Sequence, residues 1–518
     1  MRIRNLIILG FLATGIFLVI ACNDDTIFSP DELVLKKYES EFVLNPTGYT
    51  PISGSYSVHT DLIGQLRVTI KHIDGSGDDL IHTFERKDSI HDIPILGLYF
   101  DHDNEIIIDF LISDVVLNTE TLSITTPVQP DYIPNVFIDV VQKEKMEPGM
   151  NFINYRSKRD PSVPFFVDHE GHLRYLLDYE GHMDLTNLNY DVGPERMKNG
   201  DFLFGNYPTN EVYQVDILGN VINQYILEGY TFHHTASERQ NGNILVTLDK
   251  DGSMHPSGNL SLEDFIVEID RNTGAIVNEW DIKNSIDPNR NVLGTNIFNG
   301  YIDWAHENGV IEDPSDNSII ISCRLQGVVK LSNDNVAKWI LSNHRGWTST
   351  GLGENITDKL LQPLDANGDP ITDQDVLNGI SNHPDFEWPW YQHAPSIDKD
   401  GNLWVFDNGD LRNFSSDQKY SRAVGYKIDE ENMTVQQVWT YGKERGIETY
   451  SRIASDVDVE EVTGNILFCP GSRVINKDGI GSKIVELDYD TKEVVFEMHI
   501  NSGGISFHRA ERMPIYFN

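Results

Sequence analysis

The chain has 518 residues, too many for one ordinary core, so it holds either several domains or one large repeat architecture. A hydrophobic content of 39% with 10% aromatics excludes a disordered chain. Its 80 acidic against 40 basic residues leave a formal charge of −40, which excludes a nucleic-acid backbone as partner and argues against electrostatic docking on anionic lipid.

The chain begins with a short basic region, Arg2 and Arg4, followed by the apolar run Leu6–Ile20 and then LVIAC ending at Cys22. That order reads as a bacterial lipoprotein signal, with small Ala21 before the cysteine to be lipidated. The apolar run is short for a membrane span. The expectation is therefore a signal peptide over 1–22, lipid on Cys22 and a tether over 23–38. The protein would be exported and held by its lipid on the periplasmic side or the outer-membrane surface. Beyond Cys22 only Cys323 and Cys469 remain, too few for a disulfide framework and without zinc-thiolate spacing, so packing must supply the stability.

Residues 39–126 alternate in short apolar and polar runs broken by turn residues. LRVTIKHIDGSGDDLIHTFER places two such runs around Asp74-Gly75-Ser76-Gly77, a hairpin signal. Strands at this spacing predict a small β-sandwich. TTPVQPDYIPNV, with its prolines, predicts a linker over 127–140.

From 141 to the C-terminus one theme recurs: a polar turn with Gly-Asn or a close variant, an apolar strand, then a strand ending in Val/Ile-x-Ile/Leu-Asp. Six copies are legible between Asp168 and Met498, among them RQNGNILVTLD, DKDGNLWVFDNG and EVTGNILFCPG. Sheets that cannot bury both faces alone stack around an axis. The fold class predicted is thus all-β: a six-bladed β-propeller preceded by a small N-terminal β-sandwich.

In a propeller the segments leading into the innermost strands converge on one mouth of the central channel. Four of them carry distinctive polar groups. TFHHTASERQNGNILV brings His233 and His234; YIDWAHENGVIEDPSDNSIIISCR brings His306, Asn308 and Arg324; WPWYQHAPSIDKDGNLWVFDNG brings His393, with Asn408 beyond it; ETYSRIASDVDVEEVTGNILF brings Tyr450, Ser451, Arg452 and Ser455. Histidine with Arg and Asn can bind and polarise an anionic tetrahedral group. Neutral imidazole can also serve as nucleophile. Three histidines could equally hold a metal, but Arg324 would repel a divalent cation, which favours the anion and no metal.

These motifs resemble the bacterial aryl-sulfate sulfotransferase family: HHT before NGNILV, DWAHEN before Arg324, QHAP before DGNLWVFDNG, NPTGYTPI at Asn45, GLY at Gly97, and SRAVGYKID with VWTYGKERGIETYS over Ser421–Ser451. The resemblance runs from about Asn45 to the C-terminus. It implies a six-bladed propeller behind an N-terminal sandwich, transferring a sulfuryl group from a phenolic sulfate ester to a phenol acceptor without a nucleotide donor or other cofactor. It makes His393 the nucleophile of a ping-pong relay through a sulfohistidine. His234, His306, Asn308 and Arg324 would bind the sulfate oxygens, with His234 or His306 moving the phenolic proton and Ser455 adding a donor. Trp304, Trp388, Trp390 and Tyr391 would stack on the phenol ring. A homodimer formed through the sandwich is a further implication. Two departures stand out: the position after the histidine pair, often acidic in the family, is Thr235, and the close cysteine pair of some enterobacterial members is missing. The competing readings are a metal-dependent propeller hydrolase or lyase, and a non-catalytic lipoprotein that binds a glycan or sulfated ligand.

Overall fold

The computed structural model describes residues 34–156, 163–183, 185 and 194–517. The expected signal peptide, Cys22 and most of the tether lie outside the described residues.

The alternation read in residues 39–126 becomes a six-stranded antiparallel sheet folded over its own core. Its longest strand, Gly54–Ile70, alternates buried and exposed side chains through most of its length. The first half pairs with Tyr38–Leu44 and Asp88–Ile95; after a register shift between His59 and Gly64 the second half pairs with Leu80–Thr83 and Asp103–Ile112. Gly64 permits this crossing, because a Cβ there would lie 2.5 Å from the Leu111 carbonyl oxygen. The sheet wraps Tyr56, Leu66, Val68, Ile106, Ile108 and Phe110. The hairpin predicted at Asp74–Gly77 is present, with Gly75 at φ 73°.

Beyond it the described residues form six further sheets of four to six strands, one for each sequence copy and antiparallel except for the edge strand Gln362–Leu364, which pairs parallel to Thr434–Tyr441, and a small three-stranded sheet. Inner strands of successive sheets touch in order: Tyr230–Glu238 meets Glu307–Glu312, which meets His393–Ile397, which meets Asp456–Val459, which meets Phe507–Met513. An ion pair of Arg509 with Glu195 links Phe507–Met513 to the inner strand of the next sheet, Glu195–Arg196, so the inner strands complete a circuit. Six apolar clusters fill the six junctions between neighbouring sheets. Within one strand, Ile244 and Val246 face the preceding sheet while Leu245 faces the following one. Burial on both faces explains why these strands read as apolar runs rather than alternations. Left-handed glycines, such as Gly242 at φ 85° and Gly401 at φ 82°, close the turns between inner and second strands; Asn317 at φ 59° takes that place in the fourth sheet.

Two strands shut the circuit. Phe507–Met513 returns from the end of the chain to be the inner strand of the first sheet, beside Met150–Tyr155. Val136–Val141, expected within the 127–140 linker, is instead the outermost strand of the last sheet, paired with Val494–Ile500. Its backbone amides and carbonyls pair with those of Val494–Ile500 where a linker would leave them unpaired, so the last sheet reaches into the stretch where the linker was expected. The N-terminal sheet docks on the first sheet of the ring, where Arg174 donates to the Gly97 carbonyl and the Tyr516 hydroxyl accepts from the Leu96 amide.

Candidate functional site

The inner strands of four sheets lose register at the same height. The breaks fall between Phe232 and Ala236, Glu307 and Gly309, His393 and Ser396, and Phe507 and Ala510. Within or beside these bulges stand His234, Asn308, His393 and His508, and a bulge re-aims its side chains off the regular ladder. The backbone there is strained: His234 and His306 have φ of 51°, Tyr391 56°, Ala394 50° and Ser455 90°. Each such non-glycine residue costs on the order of 1–3 kcal/mol and persists only where its surroundings over-determine it. The surroundings do so here. Thr247 Oγ1 accepts from the Thr235 amide at 2.9 Å, and Asn308 Nδ2 donates to the Gln392 carbonyl at 2.9 Å.

His393 is buried, and Asn408 fixes its tautomer. Asn408 Nδ2 donates to the carbonyls of Ser451 and Ala454 at 2.7 and 2.9 Å, which aims its Oδ1 at His393 Nδ1, 2.7 Å away. An acceptor there requires Nδ1 to carry the proton, so Nε2 holds the lone pair. Burial, with the Arg324 charge nearby, pushes the His393 pKa well below that of a free imidazole, and only the Asn408 bond opposes this. Both influences favour the neutral, lone-pair-bearing ring.

His306 is the opposite case. Burial favours its neutral form, but Glu263 and Asp303 outweigh burial and the Arg324 charge, raising its pKa to about 9. Its Nδ1 lies 2.5 Å from Glu263 Oε2 and 2.9 Å from Asp303 Oδ2. Glu263 also lies 3.8 Å from His234 Nε2, so a carboxylate from another loop stands where Thr235 left none. His234, Glu263 and His306 are close enough to be read as a metal set. Glu263 Oε2 and His306 Nδ1 stand as an ion pair at 2.5 Å, the carboxylate being the largest of the charges that hold His306 protonated.

Buried polar atoms that make no hydrogen bond here include Arg324 Nε, His234 Nδ1, Asn308 Oδ1, Glu263 Oε2 and Asp303 Oδ1. Unsatisfied polar atoms are rare in native interiors, and together at one mouth they mark where a polar ligand belongs. His234, Asn308, His393, Ser455 and His508 line a small cavity. The Arg324 guanidinium sits 5.5 Å from the Tyr391 ring centroid.

Not every predicted residue reaches this place as expected. Trp304 is fully buried in the core between the third and fourth sheets, its Nε1 on Asp264 at 2.9 Å, and cannot stack on a ligand. Strand alternation turns it away from the mouth that Asp303 faces. Trp388 and Trp390 are likewise core. The Ser455 hydroxyl donates to Ser451 Oγ at 2.7 Å and accepts from the Gly471 amide, so its one proton is committed within the loop. Cys323 and Cys469 are free and buried. Glu263 and His508 were not picked out from sequence; His508 faces His234 at 6.0 Å between ring centroids.

The family model described as Arylsulfotransferase (ASST) matches residues 138–508, and that of the Arylsulfotransferase Ig-like domain matches 41–127. Two relatives carry the name Arylsulfate sulfotransferase AssT, one from Escherichia coli O6:H1 (strain CFT073) and one from Lelliottia amnigena. Each is 28% identical over 548 residues, covering 89% of this chain and 90% of the relative. Among solved structures, a streptogramin B lyase aligns over 71% of this chain and 98% of its own at 12% identity, with a TM-score of 0.31. A virginiamycin B lyase from Staphylococcus aureus with quinupristin aligns over 72% and 98% at 11% identity and a TM-score of 0.33. Likeness at that level carries no argument about substrate.

Proposed function

This chain belongs to the arylsulfotransferase family and is an aryl-sulfate sulfotransferase; within that activity we propose that the sulfuryl group passes through His393 in two displacements. In the first, His393 Nε2 forms a bond to sulfur as the S–O bond to the phenol breaks. The departing phenolate takes the proton of charged His306. In the second, the oxygen of a phenol acceptor bonds to sulfur as the N–S bond breaks, and the acceptor's proton returns to His306. Charge and proton balance over the cycle, which needs neither metal nor nucleotide.

The observation that carries this reading is the tautomer lock on His393: a buried neutral imidazole with its lone pair on Nε2, sharing a cavity with His234, whose ring lies 5.3 Å from that of the charged His306. Sulfuryl transfer is loose and in line like phosphoryl transfer, so donors aimed at the oxygens matter most. Arg324 Nε and His234 Nδ1 are available for that role, and Asn308 retains one amide hydrogen beyond its bond to Gln392. Tyr391 offers its ring beside Arg324. The test is mass spectrometry of enzyme quenched after mixing with a chromogenic aryl sulfate. An acid-labile sulfuryl adduct on the peptide containing His393 is expected. Phenol-dependent turnover without any such adduct would overturn the relay.

From the signal-like run ending at Cys22 we also propose that the protein is exported and held by a lipid on that cysteine. Radiolabelled palmitate should enter the wild-type protein and not Cys22→Ser. Pairing of two copies through the N-terminal sheet is part of the proposal too, and light scattering of the purified protein decides it.

A further inference from the structure

The oxygen-binding donors named so far come from one side of the ring. His234 stands on the third sheet, and Asn308 and Arg324 stand on the fourth. The nucleophile, His393, stands on the fifth. A sulfuryl group passing between a phenolic oxygen and His393 Nε2 spreads its charge over three oxygens arranged around the line of transfer. Donors from two neighbouring sheets reach the oxygens on their own side and leave the far side unattended.

That far side belongs to the first sheet, three places round a circuit of six. Its inner strand breaks register between Phe507 and Ala510, as the strands carrying His234, Asn308 and His393 break theirs. His508 lies in the break and lines the small cavity together with those three residues. Its ring centroid is 6.0 Å from that of His234, with the planes tilted by 48°. A charge on His508 disfavours a proton on His393 more than a charge on His234 does. His508 and the nucleophile thus border the same space.

Other groups along the wall are committed elsewhere. Arg509 also borders the cavity, but its charge is answered by Glu195 at 3.6 Å and by Asp456. Ser455, from the sixth sheet, has given its proton to Ser451. Among the described residues, none from the second sheet lines the cavity.

We infer that His508 is a catalytic residue, a ring N–H that donates to a sulfuryl oxygen from across the ring from Asn308. Donors then surround the group instead of flanking it. The hydrogen bond tightens as charge gathers on the oxygen, and no proton leaves His508. The inference rests on the sulfotransferase reading and keeps one site for both phenols. The leaving and the entering oxygen occupy the same place opposite His393 Nε2, and the sulfuryl oxygens stay within the same circle of donors.

Both displacements pass through that group, so loss of the donor slows both alike. Phenolate release from an aryl sulfate without acceptor reads the first, and desulfation of isolated sulfo-enzyme by phenol reads the second. In His508→Phe, which keeps a ring but has no N–H, both rate constants should fall about 100- to 1,000-fold, the cost of one such donor. KM for the aryl sulfate should change less than about threefold, because the bond is made chiefly in the transition state. His508→Gln restores an N–H and should recover about tenfold or more of the loss. Melting temperatures identify a variant that fails to seat the strand, and His508→Ala then replaces His508→Phe. An unchanged rate in either half-reaction, or His508→Gln as slow as His508→Phe, overturns the donor role. A wild-type enzyme that forms no sulfo-enzyme overturns the relay instead, and kcat of the variants for overall transfer then decides the donor role by itself.

Discussion

The two ends of the same inner strands make opposite use of one backbone. At the upper ends the ladder is broken, the φ angles are strained and four histidines gather: His234, His306, His393 and His508. At the lower ends pairing is regular, as in Glu238 opposite Ile244 and Glu312 opposite Ile319. Charge there is answered by charge. Arg239, buried, binds Glu268 at 2.5 Å and Glu312 at 2.8 Å, and donates to the Asn317 carbonyl. Burial raises the pKa of Asp458, Glu460 and Glu511, the last to about 8, so these carboxyls can stay protonated rather than unpaired. The bulge between the two ends is what lets them differ. Below it charged pairs such as Arg239 with Glu268 and Glu312 hold sheets together; above it polar groups converge on the small cavity beside His393.

Changes at either end should therefore separate activity from stability. His393→Ala should lower transfer by roughly 10,000-fold or more with an unchanged melting temperature, as loss of a nucleophile does elsewhere. Arg239→Ala, at the lower end, should cost about 3–5 kcal/mol in denaturant unfolding because two buried carboxylates lose their partner. Activity per folded molecule should stay at the wild-type level. Were the melting temperature instead to fall with His393→Ala and activity with Arg239→Ala, the division of labour would be wrong. Asn408→Ala should reduce turnover about 10- to 100-fold by releasing the imidazole tautomer, with acceptor KM little changed. The smallest effect concerns pH. His306 acts as its charged form, present below its raised pKa and lost as pH climbs through about 9, so kcat should decline across that range. In Glu263→Gln the counter-charge is gone, and that alkaline limb should move roughly one to two units toward neutrality. No limb near 6.5 is expected from His393, whose pKa lies well below it.

The repeats made the ring legible because every turn between an inner and a second strand carries its glycine or asparagine, and the strand after it is buried on both faces. His234, His306 and His393 followed directly, each standing ahead of such a turn. His508 did not, for a topological reason. In the first sheet the readable turn, at Asp168–His172, joins two outer strands, while the inner strand arrives from the far end of the chain with no turn after it. Glu263 escaped because its loop lies between strands of one sheet, and only the fold brings it to His306. Trp304 shows the converse limit. Proximity in sequence to Asp303 and His306 says nothing of which face of the backbone a ring takes, and packing took it inward. The tautomer of His393 was beyond reach, since it depends on two carbonyls more than forty residues away holding one amide.

The strand that completes the first sheet also sets when the enzyme can exist. His393 leaves the ribosome more than a hundred residues before His508 does. Until Phe507–Met513 has been made, the first sheet lacks its inner strand and the circuit stays open. Pairings this distant in sequence form late, after local hairpins have closed. A chain halted before Phe507 would therefore carry His393 in a ring whose first sheet is still open. Closure of the ring thus waits on Phe507–Met513, the last of its inner strands to be made.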